Sequence, residues 1–262
     1  MKILITNDDG VSSSGIIELA KVVQQDPDAE IFVVAPRLEQ SGVSQAITFL
    51  RPLFPHKLSG TATSDDLGPG FSVDGTPADC AKLGIVELCP FKPDLVISGI
   101  NGGLNVGVNV CYSGTVGGAF LAATFDVPSV AVSIESAPVM DFEKAAKLAW
   151  PIIKQLYSSD WPKRVSANIN IPTAALDGAS EFHIVPVETN PLGYDFDKGK
   201  DPKGRPYYWA NNSPDPEKSS FETDSSTVRA GKISVSPVSY DPNARDATEY
   251  FQNANSGLRA EA

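Results

Sequence analysis

Residue types able to do chemistry gather in a few short stretches of this 262-residue chain, and the first is Asn7-Asp8-Asp9-Gly10. It follows directly on the apolar residues Ile3, Leu4 and Ile5, which read as a buried strand ending in a tight acidic turn. Side chains alternate across a strand, so Asp8 and Asp9 converge on one point only if the backbone leaves strand geometry there. Gly10 makes that turn easy. Two converging anions need a cation or a shared proton, and a divalent metal is the ordinary answer. The alternative open at this point is that both aspartates cap the next helix and face water.

Two further stretches offer polar groups to a ligand. Gly99-Ile100-Asn101-Gly102-Gly103-Leu104-Asn105 continues to Asn109, and its glycines let backbone N–H groups approach closely while its amides can bind a hard metal or phosphate oxygens. Tyr112-Ser113-Gly114-Thr115-Val116-Gly117-Gly118-Ala119 then opens a helix that runs to about Phe125. Its free N–H groups and dipole suit an anion at Ser113, Gly114 and Thr115; equally, its small residues suit close helix–sheet packing. Ser41, in Gln40-Ser41-Gly42, adds a hydroxyl at another strand end. Carboxylate, hydroxyl and amide oxygens from Asp8, Asp9, Ser41 and Asn101 match Mg²⁺, Mn²⁺ or Ca²⁺ better than zinc.

The elements that must position these groups alternate between strand and helix patterns. After the first strand, Ile16, Ile17, Leu19, Ala20, Val22 and Val23 follow helical spacing to about Gln25, with Ser12 to Ser14 available as a cap. Glu30 to Ala35 is the next strand. Residues 47–75 form a β excursion, with strands at Ile47 to Leu53 and Gly70 to Val73 around a linker at Leu58 to Gly68. Thr76-Pro77-Ala78-Asp79 carries the signature of a helix start, and that helix runs to about Leu88. Further strands fall at Pro93 to Ser98, Val127 to Ser133, Val165 to Ile171 and Glu181 to Val187, with an amphipathic helix over Phe142 to Tyr157. The class is therefore α/β, a mostly parallel sheet with ligands at the carboxyl ends of its strands.

From Thr189 to about Arg229 the composition turns to Pro, Asp, Gly, Ser and aromatics, which reads as a loop-rich excursion. Its cluster Tyr207-Tyr208-Trp209 reads as an oligomer contact or a lid. Gly231 to Pro237 returns as a strand, and the tail after Asp241 is polar. This divides the chain into a core over 1–188 and an arm and tail over 189–262.

Composition narrows the function classes. A net charge of −11 disfavours long nucleic acid and anionic membrane surfaces, so an anionic ligand must be small and met by a local positive field. No apolar run approaches a membrane span of roughly 20 residues, and no signal peptide precedes the first strand. Cys80, Cys89 and Cys111 lack metal-ligand spacing and read as small buried apolar residues in a reducing, cytoplasmic setting. His56 and His183 lie far apart, which makes a His-based zinc site or triad hard to build.

Taken together, Ile5-Thr6-Asn7-Asp8-Asp9-Gly10, Ala35-Pro36 with Gln40-Ser41-Gly42, Gly75-Thr76-Pro77-Ala78-Asp79-Cys80, Ser98-Gly99-Ile100-Asn101 with Gly103 and Asn105, and Tyr112-Ser113-Gly114-Thr115-Val116 resemble the SurE family of survival-protein-E acid phosphatases and nucleotidases. The match spans residues 1–133 strongly. It continues more weakly through Asn168-Ile169-Asn170-Ile171-Pro172, Tyr207-Tyr208-Trp209 and Ser234 to Val238. The resemblance implies a Rossmann-like three-layer core with a β-rich C-terminal extension used in contacts between the subunits of a homodimer or homotetramer. It implies a metal-dependent phosphomonoesterase acting on nucleoside 5′- and 3′-monophosphates, with Mg²⁺ or Mn²⁺, or Ca²⁺ in a crystal, held by Asp8, Asp9, Ser41 and Asn101. By the same resemblance, phosphate contacts fall on Asn105, Ser113, Gly114 and Thr115, and Asp8, Asp9 and Asn105 carry the catalysis.

Two departures stand out. The family's Ala-Ala-x-Glu-Gly is replaced by Gly118-Ala119-Phe120-Leu121-Ala122, which removes an acid from the helix, and its Thr-Pro-Leu is Ser236-Pro237-Val238. A phosphoreceiver domain also begins with a strand and paired acids, but its acceptor aspartate is missing where Ser98, Gly99 and Ile100 stand. A non-catalytic nucleotide-sensing module on the same fold is the remaining alternative.

Overall fold

The computed structural model describes residues 1–58, 66–157, 160–178, 181–190, 194–212 and 220–241. Most of the expected linker at Leu58 to Gly68 and all of the tail after Asp241 lie outside these residues. The first unit is β1 (Lys2–Thr6), α1 (Ser14–Gln24) and β2 (Glu30–Pro36). Period-two alternation in β1 splits its side chains between two layers. Ile3 and Ile5 pack with Ile16 and Leu19 of α1, while Leu4 faces the opposite cluster with Phe32, Val34 and Cys80. Both faces are covered, as an α/β sheet with crossover helices requires.

Next come β3 (Pro55–Lys57), β4 (Gly70–Val73) and α2 (Pro77–Leu83), which runs on as a wider turn over Gly84–Leu88. The expected capping box is present: Asp79 N–H donates to Thr76 Oγ1 at 3.1 Å, and Thr76 N–H donates back to Asp79 Oδ2 at 3.0 Å. The chain continues through β5 (Leu95–Gly102), α3 (Gly114–Thr124), β6 (Ser129–Ile134), α4 (Phe142–Leu156), β7 (Val165–Ile171) and β8 (Phe182–Ile184). It ends with β9 (Tyr194–Lys200), β10 (Pro206–Asn212), α5 (Asp224–Arg229) and β11 (Ile233–Ser239).

The main sheet has the order β3-β4-β2-β1-β5-β6-β7-β11-β8. The run from β4 to β7 is parallel, whereas β3 pairs antiparallel with β4 and β11 antiparallel with β7. β1 lies between β2 and β5, so chain order reverses at its carboxyl end, the place where open α/β sheets leave a crevice.

Four expectations are corrected. Ile47 to Leu53 is not a strand: the Thr48 backbone N–H and hydroxyl both donate to the Asp79 carboxylate, at 2.9 and 2.6 Å, and Phe49 and Leu50 stand in solvent. The short β3 occupies the sheet edge instead. The stretch read as loop-rich holds an antiparallel hairpin, β9–β10, and the helix α5, capped by Thr223. Cys80 is buried as expected, but Cys111 is exposed and Cys89 only half-buried. Ser13 occupies the N-cap of α1 without capping it, because its hydroxyl accepts from Asn7 Nδ2 at 2.8 Å.

Candidate active site

The turn after β1, the segment after β2 and the end of β5 meet at the carboxyl edge of the sheet around a cavity of about 310 Å³. Asp8, Asp9, Ser41, Asn101, Asn105 and Ser113 line it, so six of the eight site residues singled out from sequence arrive at one place. Gly114 and Thr115 lie behind it, against Asp8. A Cβ on Gly114 would come within 2.9 Å of the Asp8 Cβ, which ties glycine at this position to the close approach of α3.

Asp8 is almost fully buried, and the Thr115 hydroxyl donates to its Oδ1. Its carboxyl is pushed up to about 6, chiefly by burial and further by the charge of Asp9, with the Thr115 hydrogen bond pulling the other way. Asp9 is also raised, by burial first and then by the charge of Glu39, while Gly102 N–H donates to its Oδ2 at 3.1 Å. The segment after β2 is fastened to this turn by Gln40 N–H donating to the Asp8 carbonyl at 2.7 Å. Ser41 gives its hydroxyl proton to Glu39 Oε1 at 2.8 Å, which leaves its oxygen lone pairs uncommitted.

The end of β5 owes its shape to a register shift against β6 between Ser98 and Asn101, which re-aims the residues beyond it. Gly99 sits at φ +142°, and a Cβ there would lie 2.4 Å from the Val132 carbonyl oxygen, so only glycine fits. Asn101 donates Nδ2 to the Gly103 carbonyl at 2.6 Å and keeps Oδ1 as its uncommitted atom. Asn105 is held on three sides. Its N–H donates to Asn170 Oδ1 at 2.8 Å, its carbonyl accepts from Asn168 at 2.8 Å and Asn170 at 3.2 Å, and its Nδ2 donates to Ser133 at 2.9 Å.

These supports were missed as site residues in the sequence. The signal was the alternation of Asn168 and Asn170 with Ile169 and Ile171 in a strand whose polar positions are also buried. Asp224 was missed too. It accepts from Gly107 N–H at 2.9 Å and Glu188 N–H at 2.8 Å, pinning the loop that carries Asn105 and Asn109. Ser113 caps α3 by accepting from Val116 N–H at 3.1 Å, which leaves its own hydroxyl proton to donate.

The described lining of the cavity carries three carboxylates, Asp8, Asp9 and Glu39, and no Lys, Arg or His. Among the described residues no group of three or more His, Cys, Asp or Glu is spaced for a metal ion. The donor set here is instead two carboxylates, a hydroxyl oxygen and an amide oxygen, hard ligands of the kind that small divalent cations take.

Comparison with known proteins places the whole chain among relatives of one family. The family model described as "Survival protein SurE" matches residues 3–192. A 5′-nucleotidase SurE from Rhodopirellula baltica is 40% identical over 257 residues, covering 97% of this chain and 99% of that protein. The 5′-nucleotidase SurE 1 of Thermus thermophilus is 40% identical over 260 residues, covering 98% of each. The crystal structure of the SurE protein from Aquifex aeolicus superposes with a TM-score of 0.82 at 32% identity, covering 97% of this chain and all of that one.

Proposed function

The chain belongs to the survival protein SurE family, and on that premise we propose that it is a phosphatase releasing phosphate from nucleoside 5′- and 3′-monophosphates, with a divalent cation at Asp8, Asp9, Ser41 and Asn101. The observation that carries this reading is a cavity with three carboxylates and no basic side chain. A phosphate dianion cannot enter such a cavity without a cation, and the uncommitted oxygens of Ser41 and Asn101 complete a hard-oxygen set. Mg²⁺ or Mn²⁺ suits those donors. When bound, such an ion offsets phosphoryl charge and lowers the pKa of water.

The residues around it divide the remaining work. Thr115 holds the Asp8 carboxylate in one orientation. Asp9, whose Oδ2 is taken by Gly102, keeps Oδ1 to accept the proton of the attacking water. Asn105 spends one amide proton on Ser133 and offers the second to a phosphoryl oxygen, and the Ser113 hydroxyl offers another donor. Donors of this kind are each worth roughly 3 kcal/mol when preorganised in a dry site.

The catalytic work falls to residues 1–188, and the arm over 189–262 serves assembly, except for β11, which completes the main sheet, and Asp224, which pins the loop beside Asn105. The exposed aromatics of the β9–β10 hairpin support a homo-oligomer. No helix among the described residues is long and apolar enough to cross a membrane, and three free cysteines suit a reducing cytoplasm.

The test is phosphate release from a nucleoside monophosphate with Mg²⁺ or Mn²⁺, with and without chelator. Metal-dependent release is expected. Nucleotide binding without release under any metal would replace the enzyme with a sensing module. Hydrolysis by Asp9→Asn at normal metal occupancy would remove the proton-accepting role of Asp9.

A further inference from the structure

A second cavity, of about 370 Å³, lies beside the catalytic one and has the opposite character. The two share a wall. Along the segment after β2 the side chains alternate: Glu39 and Ser41 line the catalytic cavity, whereas Arg37, Leu38 and Gln40 line its neighbour. The wall is this single segment of chain. It is anchored to the catalytic turn through Gln40 N–H and the Asp8 carbonyl.

The second cavity concentrates positive charge in a chain of net charge −11. Arg37 uses Nε on Asp74 Oδ1 at 2.7 Å, which leaves the two terminal nitrogens of its guanidinium uncommitted. Arg51 makes no hydrogen bond or ion pair among the described residues. Asp74, the cavity's one carboxylate, is already shared between Arg37 and His56 Nε2, the latter at 3.3 Å. Pro52, Phe54 and Val73 supply an apolar surface beside the guanidinium groups. Two guanidinium groups next to an exposed aromatic ring match a phosphate attached to a flat heterocyclic body, because the fork of Arg meets phosphate oxygens in pairs.

We propose that this cavity binds a second phosphate of the substrate, so that the enzyme favours nucleosides phosphorylated at two positions over the corresponding monophosphates. The inference rests on the phosphatase reading above. One phosphate lies at the acidic cavity, where Asp8, Asp9, Ser41 and Asn101 gather. The nucleoside crosses the rim formed by residues 38–41, and the other phosphate meets Arg51 and Arg37.

The experiment compares a nucleoside 5′-monophosphate with its 3′,5′-bisphosphate at low salt, in wild type and in R51Q and R51K. Arg51 is exposed, so the fold should tolerate both changes, and a thermal melt checks it. Wild type is expected to show a KM about tenfold lower for the bisphosphate, as charge-assisted hydrogen bonds give. R51Q should abolish that preference while leaving kcat and KM for the monophosphate within about twofold, and R51K should restore part of it. The preference should shrink at high salt. Equal KM values in wild type, or an R51Q variant that shifts both substrates alike, would overturn the subsite. Calorimetric titration of the metal-loaded protein with a non-hydrolysable bisphosphonate analogue of the bisphosphate reads the same contact without turnover. If no nucleotide is hydrolysed at all, the phosphatase reading fails, and equal calorimetric affinities of wild type and R51Q would separately remove the subsite.

Discussion

The carboxyl edge of the parallel sheet and the β9–β10 hairpin treat their chemically active side chains in opposite ways. At the sheet edge, Asp8 and Asn105 are buried and held from distant elements, Asp8 by Thr115 of α3 and Asn105 by Ser133 of β6 and by Asn168 and Asn170 of β7. In the hairpin, Tyr207, Tyr208 and Trp209 are consecutive and exposed on alternating faces, with Trp209 at 70%, and neither strand pairs with the main sheet. A two-stranded ribbon in water is marginal alone. The contrast teaches that one region holds its polar groups in fixed positions from within the fold, whereas the other leaves its aromatic rings uncovered among the described residues.

The sharpest way to break this contrast is Asp8→Asn, expected to lower kcat by on the order of 10³ in steady-state assays with saturating metal, the scale of losing a principal electrostatic contact. The same substitution sharpens the pH behaviour. The Asp8 carboxyl is raised from 3.8 to about 6, so its neutral form is favoured by folding. Its contribution to stability is therefore full below about pH 4 and lost as pH rises through about 6, a change of about 3 kcal/mol. Urea unfolding of the metal-free protein between pH 4 and pH 8 should show that loss in wild type and a smaller one in Asp8→Asn, where the raised carboxyls of Asp9 and Asp224 remain.

A smaller effect is expected from Thr115→Val, which keeps shape and removes the hydroxyl from Asp8. About a tenfold drop in kcat/KM should follow, from a hydrogen bond to a charged group worth roughly 1.5–3 kcal/mol. Asn170→Asp preserves one acceptor for Asn105 N–H and sets an anion against the Asn105 carbonyl. It should reduce kcat several-fold, while metal affinity measured by calorimetry stays unchanged. The smallest effect on chemistry belongs to Trp209→Ser: kcat within about twofold of wild type, a melting temperature nearly unchanged, and weaker self-association by analytical ultracentrifugation. A Trp209→Ser protein with crippled kcat would erase the division between the two regions.

Much of this architecture was legible in the residues because local pattern and global fold agree over it. The period-two run of β1, the helical spacing of α1 and the Thr76–Asp79 box each report a local preference that packing then uses. The convergence of Asp8, Asp9, Ser41 and Asn101 was legible as well, since each lies at or beyond the carboxyl end of a strand and parallel strands gather those ends. Legibility failed where a distant partner overrides local preference. Ile47 to Leu53 has strand-like residues, yet Asp79 takes the backbone N–H of Thr48. Thr115 carries a pattern suited to an anion, and the anion its hydroxyl meets is Asp8, 107 residues away in sequence. α5 went unseen because its six residues lie in a polar stretch without an apolar period, though Asp224 within it holds the loop beside Asn105.

The placement of β11 has a consequence for biosynthesis. Among the described residues the outer edge of β7 is completed by β11, and β8, although synthesised earlier, pairs with β11 alone. During vectorial synthesis the strands β1 to β7 can assemble while the β7 edge stays open, a template for any extended chain nearby. Emergence of residues 233–239 closes that edge and seats β8 at once. A ribosome stalled before residue 233 should therefore hold a nascent chain with its sheet-edge cavity nearly assembled and its sheet unsealed.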